Sequence, residues 1–127
     1  MTIGRSAEDY LEAILMIHER QGYVRSTDVS EQLGISKPSV SNATKRLRES
    51  EYLTTDPAGM LVLTASGMEI ASQIYARHRA LTDFFIRIGV SPEQAREDAC
   101  KIEHDISQET YQKILEESQR KRGCQSF

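Results

Sequence analysis

Six side chains on three predicted helices have the types and spacing of a transition-metal site. Cys100, Glu103 and His104 stand at i, i+3 and i+4 of one predicted helix, so that a thiol, a carboxylate and an imidazole project from one side of it. Asp9 and Glu12 stand at i and i+3 of the first predicted helix. Any one pair is weak evidence, but these three ligand types on one helical face predict a metal site.

The sixth side chain, His78, lies within the apolar seam of a long predicted helix. A neutral histidine on such a face is more often a core residue with a hydrogen-bond partner than a metal ligand, unless other ligand types converge on it. Asp9 alone would likewise be read as a partner of the helix dipole. The seam residues recur at three and four positions, and they are Ala71, Ile74, His78, Leu81, Phe85 and Ile88.

An enzymatic alternative uses the same predicted helix. Cys100 could act as a nucleophile with His104 as its base, since i and i+4 positions lie close together. No glycine-rich or oxyanion-forming loop accompanies the pair in the sequence. We therefore expect that the protein is not an enzyme, and a thiol-reactivity assay would test this.

The first helix is predicted to begin at Ser6 and to run to about Arg20. Asp9 follows Ser6 by three residues, which is where a capping box places its acid. A buried stripe on this helix is predicted at Tyr10, Leu11, Ile14, Leu15 and Ile17.

Three further helices are predicted in the second half of the chain. Thr64 caps a helix that runs to about Ile88, and Ser91 caps one that continues through His104. Ser107 caps the last helix, whose polar end over residues 116–127 is expected to fray. These helices carry apolar positions that one small winged helix cannot cover, so we expect a homodimer formed through the region after Thr64.

Between the first helix and Thr64, the sequence predicts a helix, a tight turn and a second helix. Ser26 or Thr27 caps the first of the pair, which ends at Gly34. Ser36 caps the second helix, whose apolar positions are Val40, Ala43 and Leu47.

A small hairpin follows this helix-turn-helix. Two short β-prone runs, residues 52–55 and 60–63, flank the turn sequence Asp56-Pro57-Ala58-Gly59. A helix-turn-helix followed by a hairpin is a winged helix. The predicted fold class is therefore mainly α, with a winged helix-turn-helix domain over residues 1–63 and a helical domain over residues 64–127.

The second helix of the pair is predicted to bind DNA. It presents short polar groups near its N-terminus and cations further along, which suits base edges in a major groove with flanking phosphates. Helix-turn-helix pairs also occur as plain packing units, but here the turn, cap, cations and hairpin agree. The predicted DNA contacts are Arg25, Ser36, Lys37, Pro38, Ser39, Ser41, Asn42, Lys45 and Arg46.

Composition limits what kind of protein this is. The 127 residues carry a net charge of −3, with 39% hydrophobic and 28% charged residues, which is ordinary for a globular protein with one core or one small domain and a helical extension. No membrane span or signal peptide is predicted, so a cytoplasmic location is expected. Because the net charge is negative, DNA binding cannot depend on the overall charge of the protein. It has to use a local cationic surface and to depend on a further condition. Cys124 lies in the polar tail and is treated as incidental.

The chain resembles the diphtheria toxin repressor family of metal-dependent repressors, most closely its manganese transport regulator branch. The resemblance implies a winged helix followed by a dimerisation region with metal bound between them, and a divalent cation that acts as corepressor at operators upstream of metal-uptake genes. The matching stretches are Ala7 to Ile14, the helix-turn-helix through Glu51-Tyr52-Leu53, Leu61 to Thr64 with Gly67, Arg77-His78, and Ile102-Glu103-His104.

The metal ligands implied by the resemblance fall on Asp9, Glu12, His78, Glu103 and His104. Cys100 departs from the manganese branch, which has a carboxylate there, and matches the iron-type members. Since a thiolate favours Fe²⁺ or Zn²⁺ over Mn²⁺, the expected order of metals is Fe²⁺ first, Mn²⁺ second and Zn²⁺ third. The carboxylate that can bridge two ions in the manganese branch is absent here. The second metal site of iron-type members needs a carboxylate four residues after His78, and this chain has Thr82 there. A winged-helix regulator that is not gated by metal remains the alternative.

Overall fold

The computed structural model describes residues 4–125, without the side chains of residue 5 and of residues 120–125. The chain divides into two compact units, an N-terminal unit that reaches Tyr75 and a C-terminal unit that begins at Ala76. The boundary therefore falls inside one continuous helix. The elements in order are α1 (Arg5–Gln21), α2 (Ser26–Leu33), α3 (Lys37–Glu49), β1 (Leu53–Thr55), β2 (Leu61–Leu63), α4 (Ala65–Arg87), α5 (Pro92–Ile102) and α6 (Gln108–Gln125).

The core of the N-terminal unit is built around the apolar stripe of α1. The predicted stripe is confirmed, because Leu11, Ile14 and Ile17 are at most 1% exposed. Tyr10 packs against this core and is only partly buried. The buried residues that close the core from the other elements are Val24, Val29, Val40, Leu47, Leu53, Leu61 and Ala71.

Two predicted helix caps in this unit are wrong. Ser6 lies inside α1, because the helix begins one residue earlier and Gly4 is its N-cap. Arg25 is the N-cap of α2 in place of Ser26 or Thr27. The Asp28 carboxylate accepts the backbone N–H of Arg25 at 2.9 Å. The acid at the third helical position thus provides an acceptor for the backbone N–H of the N-cap residue, as in a capping box.

The turn of the helix-turn-helix is as predicted. Gly34 ends α2 with φ +66°, a left-handed conformation that costs glycine least. The Ser36 hydroxyl accepts the backbone N–H of Ser39 at 3.3 Å and caps α3. The polar N-terminus of α3 is therefore fixed by its own local hydrogen bonds.

The hairpin is also present, with strands one residue shorter than predicted. β1 and β2 pair antiparallel with Leu53 opposite Leu63. In the turn, the Asp56 carboxylate accepts the backbone N–H groups of Ala58 and Met60, both at 2.9 Å. These bonds fix the turn and hence the register of the two strands.

The C-terminal unit consists of the second part of α4 with α5 and α6, around Leu81, Ala95 and Ala99, which are 0% exposed. The predicted caps are confirmed: the Ser91 hydroxyl accepts Gln94 N–H at 3.4 Å and the Ser107 hydroxyl accepts Thr110 N–H at 3.1 Å. Within residues 4–125, no helix is long and apolar enough to cross a bilayer.

Two expectations for these helices are corrected. The seam of α4 stays buried only as far as Leu81, and Ile88 is 56% exposed. α5 ends at Ile102 and does not reach His104, because the amides of residues 105 and 106 both bond to the carbonyl of Ile102 and turn the chain. α6 continues to Gln125, since residues 116–122 are mostly strong helix formers without proline, and residues 126–127 lie outside the described residues. The Cys124 side chain lies outside the described part.

Candidate metal centre and DNA-binding surface

A buried carboxylate with two imidazoles forms the centre of the candidate metal site in the C-terminal unit. The Glu103 side chain is 0% exposed, and its Oε2 lies 2.9 Å from Nδ1 of His78. Its Oε1 lies 3.4 Å from Nε2 of His104, whose side chain is 1% exposed. A charge buried this deeply is stable only with partners. His78 lies at hydrogen-bond distance from Oε2, whereas the 3.4 Å contact between Oε1 and Nε2 of His104 is not a hydrogen bond.

The turn after α5 delivers two of these three groups. Glu103 is the C-cap of α5 and keeps helical backbone angles, so its side chain continues the spacing of the helix. His104 is the next residue in the turn, and His78 comes from α4. One carboxylate and two imidazoles are a donor set that Mn²⁺, Fe²⁺ and Zn²⁺ accept, so these residues fit a divalent cation.

Cys100 differs from these three groups in its surroundings. It lies on α5 and is exposed, whereas Glu103, three residues later, is fully buried. The sequence pattern could not show this difference. Spacing of i and i+3 places two residues on the same side of a helix, but it does not tell which of them is exposed to solvent.

The two acids of the first helix form a pair in the N-terminal unit. Asp9 and Glu12 offer carboxylate oxygens within 4.8 Å of each other. Glu12 is 5% exposed and Asp9 is partly buried. Two carboxylates that are close together and partly desolvated repel each other, and a divalent cation is one partner that removes the repulsion.

The predicted DNA contacts of the helix-turn-helix all lie at the surface. Ser39 differs from the simple prediction, because its hydroxyl is within 2.8 Å of the Ser36 hydroxyl and takes part in the cap. Behind α3, burial raises the pKa of the Tyr10 phenol, and the positive charge of Arg46 opposes that rise. The exposed positions are Ser36, Lys37, Pro38, Ser39, Ser41, Asn42, Lys45 and Arg46.

Arg25 also lies at the surface, but its guanidinium is already held. Nη2 and Nε donate to the two Asp28 oxygens at 3.0 and 3.2 Å, and the guanidinium carbon lies 5.5 Å from the centre of the Tyr23 ring. The hydrogen bond from Arg25 is the main reason that the pKa of Asp28 lies below its usual value, while burial of the carboxyl acts in the opposite direction. The Arg25–Asp28 pair was not predicted, although the spacing of an N-cap residue and an acid three residues later is the signal for it.

Comparison with known proteins covers almost the whole chain. Residues 2–61 match the family model described as iron dependent repressor, N-terminal DNA binding domain, and residues 64–125 match the model of its metal binding and dimerisation domain. The HTH-type transcriptional regulator MntR of Shouchella clausii is 39% identical over 109 residues, which are 86% of this chain and 76% of that protein. The regulator MntR of Bacillus subtilis is 37% identical over 86% of this chain and 77% of its own length.

Solved structures show the same fold. The crystal structure of T. acidophilum IdeR superposes with a TM-score of 0.78 at 28% identity, over 92% of this chain and 55% of that one. A manganese-dependent transcriptional repressor in complex with manganese also gives a TM-score of 0.78 at 28% identity, over 85% and 50% of the two chains. The chain thus spans about half the length of these solved structures.

Relatives over most of the chain are transcriptional regulators, which sets aside the enzyme alternative built on Cys100 and His104. The two matched domains are, in order, the DNA-binding and the metal-binding and dimerisation domains of one family. The chain therefore belongs to the iron-dependent repressor family, whose members are metal-dependent, DNA-binding transcriptional repressors of metal homeostasis.

Proposed function

We propose that this chain is a homodimeric repressor that binds its operator when a divalent cation is bound. The observation that carries the proposal is the Glu103 carboxylate, which is fully buried with an imidazole near each oxygen. Such a group is a poor choice for a plain core, where an apolar side chain of the same volume would serve as well or better. It is a good choice for a site that exchanges a cation.

The proposed ligands come from two sets. His78, Glu103 and His104 supply two imidazoles and a carboxylate, and the acid pair Asp9 and Glu12 supplies hard oxygen donors. Cys100 is the sixth proposed ligand, from its i, i+3 and i+4 spacing with Glu103 and His104 in the sequence. When bound, the cation supplies the positive charge that compensates these carboxylates. The chain's own residues then determine which metal is accepted.

The choice of metal depends on Cys100. The order Fe²⁺, Mn²⁺, Zn²⁺ predicted from the sequence assumes that the thiolate is a ligand. Two facts favour Mn²⁺ over that order: Cys100 is exposed, and a solved structure similar to this chain is a manganese-dependent repressor with manganese. We therefore place Mn²⁺ first, Fe²⁺ second and Zn²⁺ third for this chain.

DNA is bound through α3 in this proposal. Asn42 and Ser41 are exposed on the helix and suit base edges, while Lys37, Lys45 and Arg46 suit phosphates. In a symmetric dimer the two copies of α3 have to lie about 34 Å apart to enter successive major grooves. Dimerisation is therefore part of the DNA-binding mechanism.

We further propose that the functional domains are residues 1–63 and 64–127, and that the protein acts in the cytoplasm. The ends of the two matched family models, at residues 61 and 64, support this boundary. The compact units divide later, after Tyr75, because α4 begins in one unit and continues into the other. A repressor has to reach chromosomal DNA, which supports the location.

The test is a DNA-binding titration with the full chain, with and without each metal. Glu103→Gln keeps the size of the side chain and removes its charge, so it should abolish the response to Mn²⁺. Glu109→Gln on α6 is the matched control, because Glu109 is exposed. DNA affinity that is equal with and without every metal would overturn the proposal in favour of a regulator that is not gated by metal.

A further inference from the structure

Arg77 is a residue that neither the ligand set nor the DNA surface uses, although it makes contacts throughout the turn that carries Glu103 and His104. Its Nη1 donates to the carbonyl oxygens of Glu103 at 3.2 Å and Ile106 at 2.9 Å. Its Nη2 donates to Oε1 of Gln108 at 2.9 Å. The guanidinium carbon also lies 5.1 Å from the centre of the Tyr111 ring.

These contacts matter because the turn lies outside regular helix. α5 ends at Ile102 and α6 begins at Gln108, so residues 103–107 include carbonyl groups that lack a partner within a helix. Arg77 satisfies two of them with one nitrogen and spans the turn from its first residue to the first residue of α6. A planar guanidinium can do this, whereas a lysine ammonium lacks the fixed geometry.

Glu103 is consequently held at both of its ends by neighbouring residues of α4. Arg77 binds its backbone carbonyl, and His78 lies 2.9 Å from its carboxylate. The distance between the His78 imidazole and the turn is therefore set by the Arg77 contacts as well as by the ligands themselves. His104 follows Glu103 directly in the chain, so the hydrogen bond from Arg77 to the Glu103 carbonyl also restrains the position of His104.

We propose that Arg77 is a positioning residue of the metal centre, which holds the turn of Glu103 and His104 at the distance from His78 that a divalent cation requires. Groups that orient metal ligands in this way commonly contribute 10- to 100-fold in affinity. The inference rests on the proposed function and adds a residue that determines metal affinity without touching the metal.

The direction in which Arg77 variants change Mn²⁺ affinity distinguishes a positioning role from an effect of the Arg77 charge. Arg77 is a cation near a cation site, so removing its charge would by Coulomb repulsion alone strengthen metal binding. Loss of positioning predicts the opposite. Arg77→Gln should therefore bind Mn²⁺ about 10- to 100-fold more weakly, and Arg77→Lys, which keeps the charge, should also bind it at least about 10-fold more weakly.

The experiment is calorimetric titration of Mn²⁺ into the metal-free full-length protein, with circular dichroism to establish that each variant is folded at the temperature used. Arg96→Lys is the control, because Arg96 is exposed on α5; its affinity should stay within twofold of wild type. Gln108→Ala removes a single contact and should give a smaller loss than Arg77→Lys, and it carries the test if the Arg77 variants do not fold.

The outcomes distinguish this inference from the proposed function. Wild-type protein that binds no divalent metal overturns the proposed function itself. Wild-type protein that binds Mn²⁺, with folded Arg77 variants that bind it as tightly as Arg96→Lys does, overturns the positioning role alone. A fall in the melting temperature of the metal-free Arg77 variants with unchanged Mn²⁺ affinity would likewise show that Arg77 only stabilises the fold.

Discussion

Gly67→Ala should destabilise the protein, because α4 begins against the backbone that leads into the hairpin. A Cβ atom at Gly67 would overlap the carbonyl oxygen of Tyr52 and lie 3.0 Å from its carbonyl carbon and 3.4 Å from Leu63 Cδ2. The Tyr52 carbonyl cannot move away freely, since it accepts the backbone N–H of Thr64 at 3.2 Å. Thr64 in turn caps α4 by accepting Gly67 N–H at 3.2 Å.

The magnitude follows from three effects. Overpacking against a rigid neighbour costs about 1–3 kcal/mol, and loss of the Thr64–Tyr52 hydrogen bond costs about 1 kcal/mol. The higher helix propensity of alanine returns up to about 1 kcal/mol. The free energy of unfolding of Gly67→Ala should therefore fall by about 1–3 kcal/mol, since the last two effects nearly cancel.

Urea unfolding followed by circular dichroism measures this change. Gly4→Ala is the control, because no atom lies within 4 Å of its added Cβ and its φ of −71° is ordinary for alanine. Gly4→Ala should lower the free energy of unfolding by less than about 1 kcal/mol, because its only expected cost is the replacement of glycine by alanine at the N-cap of α1. If Gly67→Ala were as stable as Gly4→Ala, the close approach of α4 to Tyr52 would be wrong.

Three other predictions concern separate parts of the chain. Asp28→Asn should lower the free energy of unfolding most at neutral pH and progressively less below about pH 4. The reason is that a carboxylate whose pKa is lowered by Arg25 stabilises the fold only while it is ionised. Equal losses at pH 7 and pH 3 in urea titrations would contradict this. Asn42→Ala should cost about 1–3 kcal/mol on operator DNA and little on random DNA, whereas Lys45→Ala should weaken binding to both and lower the salt slope by about one, as measured by fluorescence anisotropy. Cys100→Ser should remove a near-ultraviolet charge-transfer band of the Co²⁺-bound protein if the thiolate is a ligand, and a wild-type Co²⁺ complex without that band would exclude Cys100 from the site.

Periodic features of the fold could be predicted from the sequence, because they depend on local spacing. The core stripe of α1, the caps at Ser36, Ser91 and Ser107, and the hairpin each follow from a few neighbouring residues. The error at the cap of α2 arose because two local patterns competed, and the one that was not considered is the one that forms. Asp28 capped α2 from within the helix, so that the serine before it was not needed.

The candidate metal site shows a different limit, which comes from contacts between residues far apart in the chain. Sequence spacing assigned Cys100, Glu103 and His104 equally to one helical face, yet Cys100 is exposed while Glu103 is fully buried. Arg77 contacts the turn after Ile102 through residues that lie 26 to 31 positions later in the chain. No pattern confined to a single helix contains that information.

The N-terminal unit explains how a cation held by α1 would affect DNA binding under the proposed function. α1 carries the acid pair on one side, and its buried residues Leu11 and Ile14 share a core with Val40 and Leu47 of α3. A close-packed core transmits displacement instead of absorbing it, so α1 and α3 are expected to move as one body. Metal bound at the acid pair therefore does not have to change the shape of the recognition helix. A displacement of α1 is passed to α3 through the core that the two helices share.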